Sequence, residues 1–123
     1  ANPDLVVMRQ GQPVVCAGAL AERYEAMGGA VSMRGKPDPA IYGQALALLG
    51  VPASRVLAVG DALHTDVKGA NGAGLAGAIF VTQGVHAREL GIAPGQEPDR
   101  ERLDRLVAEH GEVPLAAMRS FLW

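Results

Sequence analysis

Val56-Leu57-Ala58-Val59-Gly60-Asp61, followed closely by Thr65-Asp66, is the stretch on which the reading of this chain turns. Four apolar residues in a row, with no polar alternation, fit a strand buried on both faces, the usual condition in a parallel sheet. Asp61 then stands at the carboxyl edge of that strand, and in open α/β sheets ligands bind in the crevice beyond such edges. A cap on the following helix accounts for Asp61 or Thr65 taken alone, since both are favoured N-cap types. It does not account for Asp66 as well. Carboxylates held close together need a cation or a shared proton, so the pair points to a hard metal ion.

Upstream, Gly35-Lys36-Pro37-Asp38-Pro39 precedes Ile41, Ala45, Leu48 and Leu49, which fall at the i, i+4, i+7, i+8 spacing of a helix. Asp38 suits the N-cap, Pro39 the first helical position, and Gly50 with Pro52 the stop. Lys36 therefore lies just ahead of a helix N-terminus, whose unpaired backbone donors favour an anion. Taken by itself, a Gly-Lys-Pro turn reads better as a solvated loop lysine. Beside Asp61 and Asp66 it gains a purpose: one cation for a phosphate and two acids for Mg²⁺ are complementary parts of a phosphoryl-transfer site.

Gly35-Lys36-Pro37-Asp38-Pro39 and Gly60-Asp61-Ala62-Leu63-His64-Thr65-Asp66, about 25 residues apart as one α/β unit allows, resemble the third and fourth motifs of haloacid dehalogenase-like phosphatases. Asn2-Pro3-Asp4, with Gly18 downstream, resembles the subclass whose large cap domain is inserted mid-chain, the group of nitrophenyl-phosphatase, nucleotide and sugar-phosphate phosphatases. The resemblance implies an α/β fold: half of a doubly wound, Rossmann-like parallel-sheet core at residues 34–123, with a remnant of the cap at residues 1–33. It implies that Lys36 steadies the phosphate and the nucleophile's charge. Asp61 would be the Mg²⁺ ligand, directly or through water, and Asp66 would orient that site from outside the coordination sphere by holding waters or Lys36. Asn2 and Asp4 would lie on the cap side, near the leaving group of the substrate. Ala62 stands where the family often has a polar residue, and His64 falls at a variable position, where it reads as a surface loop residue.

The family's reaction begins with an aspartate nucleophile in an Asp-x-Asp signature, and this chain contains no Asp-x-Asp. A metal ligand cannot replace a nucleophile that attacks in line. The expectation is therefore the carboxyl-terminal part of a Mg²⁺-dependent phosphatase for small phosphomonoesters, working through an aspartyl-phosphate and inactive alone. Its partners would be a small phosphorylated metabolite and either the missing amino-terminal half or a dimer mate. The same lysine and acids also suit a phosphate- or nucleotide-binding module without turnover, or a structural assembly partner in which the acids are caps.

Composition agrees without deciding. With 11 basic and 13 acidic residues the net charge is −2, which offers no electrostatic footprint for nucleic acid, and 4% aromatic content provides no stacking platform. A single cysteine precludes an internal disulfide. With no signal peptide or long apolar span, the cytoplasm is the expected location and a membrane role is not expected. Cys16 reads as a small core residue.

The remaining pattern alternates. Strands are expected at residues 5–8 and 13–16 around the turn at 10–12. A helix through Leu20, Tyr24 and Met27 follows, then a short strand at 31–33. A helix over 65–73 contains Gly69 and Gly72, explained by close packing against the sheet. A buried strand at 78–82, a short helix at 86–90 and a loop at 92–98 come next. Leu103, Leu106, Val107 and His110 mark one stripe of a last helix closed by Gly111, with His110 placed favourably for the helix dipole. Residues 121–123 read as a final edge strand.

Overall fold

A computed structural model describes residues 1–9 and 12–121. Strands β1 (Val6–Arg9) and β2 (Gln12–Val15) pair antiparallel, with Val6 opposite Val15, and α1 (Ala17–Ala26) follows. Next come α2 (Pro39–Leu49), a single 3-10 turn (Ala53–Arg55) and β3 (Leu57–Gly60). A wide π-type turn (Leu63–Val67) leads into α3 (Lys68–Gly72), then β4 (Gly77–Val81), α4 (Arg100–His110) and β5 (Ala116–Met118). The last three strands form one parallel sheet in the order β3-β4-β5, with Gly60 opposite Phe80 and Val81 opposite Met118. Parallel strands joined by crossovers are the α/β architecture that the sequence implies.

The core forms where β4, flanked on both edges, meets the helices. Ala78 and Phe80 of β4 are fully buried against Leu63, Val67, Ala70, Leu90 and Leu106. The helix ends follow their sequence signals. Asp38 accepts the Ala40 N–H at 2.9 Å and Pro39 opens α2, which closes at Gly50 with φ 65°. Asp99 accepts the N–H groups of Glu101 and Arg102 at the start of α4, which closes at Gly111 with φ 69°. Among the described residues no helix is long and apolar enough to cross a membrane.

Several expectations need correction. The strand ending at Asp61 is not buried on both faces: among the described residues β3 is an edge strand, and Leu57 and Val59 are 49% and 42% exposed, because no described element covers that face. The helix α2 exists with the expected bounds, yet none of its residues is buried, and Leu48 and Leu49 stand in solvent. Leu20, Tyr24 and Met27 of the first helical stripe are likewise exposed. No strand forms at 31–33, where the backbone makes only an isolated exchange with Ala1: its amine to Ser32 O, and Arg34 N–H to Ala1 O, both at 2.6 Å. The helix of 65–73 is instead the π-type turn plus α3. Residues 86–90 form overlapping turns rather than a helix, ending at Gly91 with φ 66°. The last strand is β5, with residues 122 and 123 outside the described residues, as are Gln10 and Gly11 of the first turn. Cys16 is half-buried at the N-cap position of α1, with its thiol donating to Val14 O, and is not a core residue.

The two glycines of α3 also part company. A Cβ on Gly69 would collide with the Tyr42 ring of α2, so the close approach is helix on helix rather than helix on sheet. A Cβ on Gly72 would meet nothing within 4 Å. Gly69→Ala is therefore expected to destabilise the fold by about 1–3 kcal/mol, the usual cost of overpacking. Gly72→Ala should leave stability unchanged or raise it by up to about 1 kcal/mol, by removing backbone freedom. Urea unfolding of the two variants checks this pair of opposite outcomes.

Candidate active site

Asp66 is the hinge of the candidate site. It is 6% exposed, and its carboxylate accepts three donors: Lys36 Nζ on Oδ1 at 2.6 Å, and the N–H groups of Asp61 and Ala62 on Oδ2, each at 3.1 Å. A buried carboxylate is tolerable only when so paired. The local backbone makes it possible. Ala62 O accepts from both Asp66 N and Val67 N, at 2.8 and 3.2 Å, widening the first turn after the strand. Gly60 leaves space beside it, since a Cβ there would collide with the Asp66 carboxyl group. Wide turns of this kind recur at functional sites.

Asp61 is held differently. Oδ2 accepts the Val85 N–H at 3.0 Å from the loop after β4, where Gly84 permits the close approach. Among the described residues no donor reaches Oδ1 of Asp61. Lys36, just before the N-terminus of α2, turns its ammonium to Asp66, with the charge of Asp61 near enough to act on it. Its pKa is raised, first by the hydrogen bond to Asp66 and against the effect of burial, with the charges of Asp66, Tyr42 and Asp61 adding to it. The Tyr42 hydroxyl reaches Thr65 O at 3.5 Å, and burial raises the tyrosine's pKa. The donor set thus offers one open carboxylate oxygen beside a lysine at a helix end. That fits a hard cation which keeps most of its water shell and shares phosphate oxygens, and it fits a phosphate.

Asn2 and Asp4 lie on the same crevice as Lys36, a groove of about 430 Å³ also lined by Arg34, Gly35, Ile41 and Thr65. They bond each other, Asn2 Nδ2 to Asp4 Oδ2 at 3.0 Å and Asp4 N–H to Asn2 Oδ1 at 3.2 Å. Gly18 fixes the segment on α1: its N–H donates to Asp4 O at 3.0 Å, and any Cβ would strike the carbonyls of Pro3 and Asp4. Sequence reasoning overlooked Arg34, which stands in this groove paired with Asp38 at 3.3 Å, and His86, which is buried against Leu63. The signal for Arg34 was only its closeness to Lys36 in the chain. For His86 there was none, because its partner lies 23 residues away. His64 is exposed, as a surface loop residue should be.

The Lys36–Asp66 pair carries a pH signature. A lysine pKa raised in the folded state contributes stability that is complete below the unfolded value, 10.5, and is lost as pH rises through the folded value. Lys36→Gln should therefore be less stable than the parent at pH 8–9, with the gap closing above about pH 10.5, the ordinary lysine range. Urea midpoints of the two proteins across pH 8–11.5 measure it, both carried in a Tyr42→Phe background because Lys36 and Tyr42 act on each other's titration.

Comparison with known proteins places these features. No curated protein matches the chain. A family model described as HAD-hydrolase-like matches residues 33–108. Among solved structures, the p-nitrophenyl phosphatase of Archaeoglobus fulgidus is similar at 28% identity and TM-score 0.71, over 97% of this chain and 41% of its own. A haloacid dehalogenase-like family hydrolase from Brucella suis 1330 is similar at 34% identity and TM-score 0.66, over 98% and 42%. The 4-nitrophenylphosphatase of Thermotoga maritima is similar at 28% and 0.69, over 97% and 40%. The chain thus spans about two fifths of the length of the structures it matches. With the family model covering more than half of its residues, the chain belongs to the HAD-hydrolase-like family.

Proposed function

We propose that this chain is the carboxyl-terminal part of a Mg²⁺-dependent phosphatase acting on small phosphomonoesters through an aspartyl-phosphate. The nucleophilic aspartate comes from a segment outside these 123 residues. The observation that carries the proposal is the convergence of Lys36, 2.6 Å from Asp66, with the open carboxylate oxygen of Asp61 at one lip of the sheet. Lys36 offsets the charge of the phosphate and the nucleophile. Asp61 holds Mg²⁺, directly or through water, and Asp66 keeps Lys36 and the turn in place. Bound Mg²⁺ would neutralise charge on the phosphate. Asn2 and Asp4, across the groove, contact the leaving group of the substrate. Residues 1–33 belong to the cap, residues 34–123 to the core, and the enzyme works in the cytoplasm.

The partner follows from the uncovered apolar surface. Leu57 and Val59 at the open edge of β3, with Leu48 and Leu49 of α2, make a face that a folded enzyme would cover. We infer that the amino-terminal half of the enzyme seats there and brings the nucleophile to Asp61 and Lys36; a second copy of the chain is the substitute when that half is absent. Val59→Lys should abolish either association, read in sedimentation or light scattering as a fall to the mass of the single chain. Persistence of an unassociated parent chain at high concentration, with cooperative melting, would count against this.

The chain alone should bind Mg²⁺ without hydrolysing p-nitrophenyl phosphate. Saturating Mg²⁺, at about 100 times its dissociation constant, should stabilise the parent by about 2.7 kcal/mol. Asp61→Asn should lose that gain. Equal stabilisation of both proteins, or none of either, would sink the metal assignment.

A further inference from the structure

All three histidines of the chain meet at one point: His64 from the π-type turn, His86 from the loop after β4 and His110 from the last residue of α4. The His86 ring centroid lies 4.9 Å from that of His110 and 5.9 Å from that of His64. Ligand atoms of His86, Glu89 and His110 fall within 4.8 Å of one another, a spacing that invites a metal ion. The hydrogen bonds point elsewhere. His86 is 4% exposed, and both ring nitrogens are engaged: Nε2 accepts the Leu63 N–H at 3.2 Å, and Nδ1 faces Glu89 Oε2 at 2.5 Å. A neutral imidazole that accepts at Nε2 carries its proton on Nδ1, so Nδ1 donates to Glu89 and has no lone pair left for a metal. Glu89 has its pKa lowered, chiefly by that hydrogen bond. Its carboxylate selects the tautomer, as partners of a buried histidine do.

What the ring holds is the acid turn. Leu63 lies between Asp61 and Asp66, and it is the first residue of the π-type turn, where backbone donors lack partners within the turn. Immediately before His86, the Val85 N–H bonds to Asp61 Oδ2. The loop after β4 therefore grips the turn at two points, one on a carboxylate and one on the backbone. We infer that His86, fixed by Glu89 as its Nδ1–H tautomer, is a positioning residue that sets the Asp61 carboxylate for cation and phosphate. This inference rests on the reading of Asp61 as the metal-holding acid.

The test uses the full 123-residue chain with Mn²⁺ as the probe, and three variants. His86→Leu fills the space without an acceptor. His86→Gln returns an acceptor near the position of Nε2. Glu89→Ala leaves the ring and removes the exposed carboxylate that orients it. Nitrogen-15 spectra of the parent should show His86 protonated on Nδ1, and Glu89→Ala should shift population to the Nε2–H form and lower the melting temperature, because the Leu63 N–H then loses its acceptor. In His86→Leu the amide resonances of Asp61 and Ala62 should move, and Mn²⁺ affinity, measured by electron paramagnetic resonance, should fall about tenfold, as when the outer support of a metal site is removed. His86→Gln should recover most of both. A parent His86 protonated on Nε2 overturns the inference, and so does a folded His86→Leu with parental Mn²⁺ affinity and unmoved amides, or a loss that Gln does not rescue. If the parent binds no Mn²⁺, the metal reading of Asp61 fails by itself. The tautomer and the two amides then decide whether His86 positions the turn. Should His86→Leu not fold, the comparison of Glu89→Ala with the parent decides the same question.

Discussion

The carboxylate of Asp66 must be satisfied in a place where water scarcely reaches it, and the rest of the site is arranged around that need. Two of its donors are consecutive backbone N–H groups at the end of β3, and the third is a lysine brought from 30 residues earlier. Hydrogen bonds to a charged group contribute roughly 1.5–3 kcal/mol each, and a buried charge left without them costs more than that. The acid therefore ties the segment before α2 to the strand end more firmly than any apolar contact could, since α2 buries no side chain of its own. Gly60 is part of the same constraint, because a side chain there would occupy the space of the carboxyl group.

The distribution of apolar surface shows which parts of the fold this chain completes. Around Phe80 the packing is that of a finished domain, with side chains from the π-type turn, α3, β4, the following loop and α4 closed on one another. On the side of β3 and α2 it stops. Leucines and valines face outward along a strand edge that pairs on one side only. An edge of this kind is a template for another strand, and the site lies at its carboxyl end. The uncovered apolar surface and the candidate site are thus neighbours, so that a partner of the kind proposed would cover the one and complete the other.

Much of this was legible in the sequence where the cause is local. Asp38-Pro39 and Gly50 bound α2, Gly111 closed α4, and an unbroken apolar run marked β4, because caps, glycine turns and strand patterns act over a few residues. The convergence of Lys36 with Asp66 was also expected, through the resemblance that two motifs bear to a known family. Long-range causes were not. The burial expected on both faces of β3 assumed a covering layer that these residues do not supply. The strand at 116–118 has small residues and little burial, so only its pairing with Ile79, Phe80 and Val81 identifies it. The helix expected over 65–73 failed in its first turn because Ala62 O takes two donors there, an arrangement set by the buried acid rather than by helix propensity.

Counting donors separates the two acids in a way that residue type alone does not. Asp66 has both oxygens occupied by protein, one by an ammonium and one by two amides, so it has little left to offer an ion. Asp61 has one oxygen pinned by Val85 and, among the described residues, no protein donor on the other. Pinning costs the free oxygen no basicity that matters to a hard cation, yet it removes the rotation that would otherwise have to be lost on binding. A carboxylate fixed in this way suits an ion that demands near-octahedral angles and gives up its waters reluctantly. On the proposed reading the saturated acid makes the geometry and the other would use it, so two aspartates five residues apart would not be interchangeable.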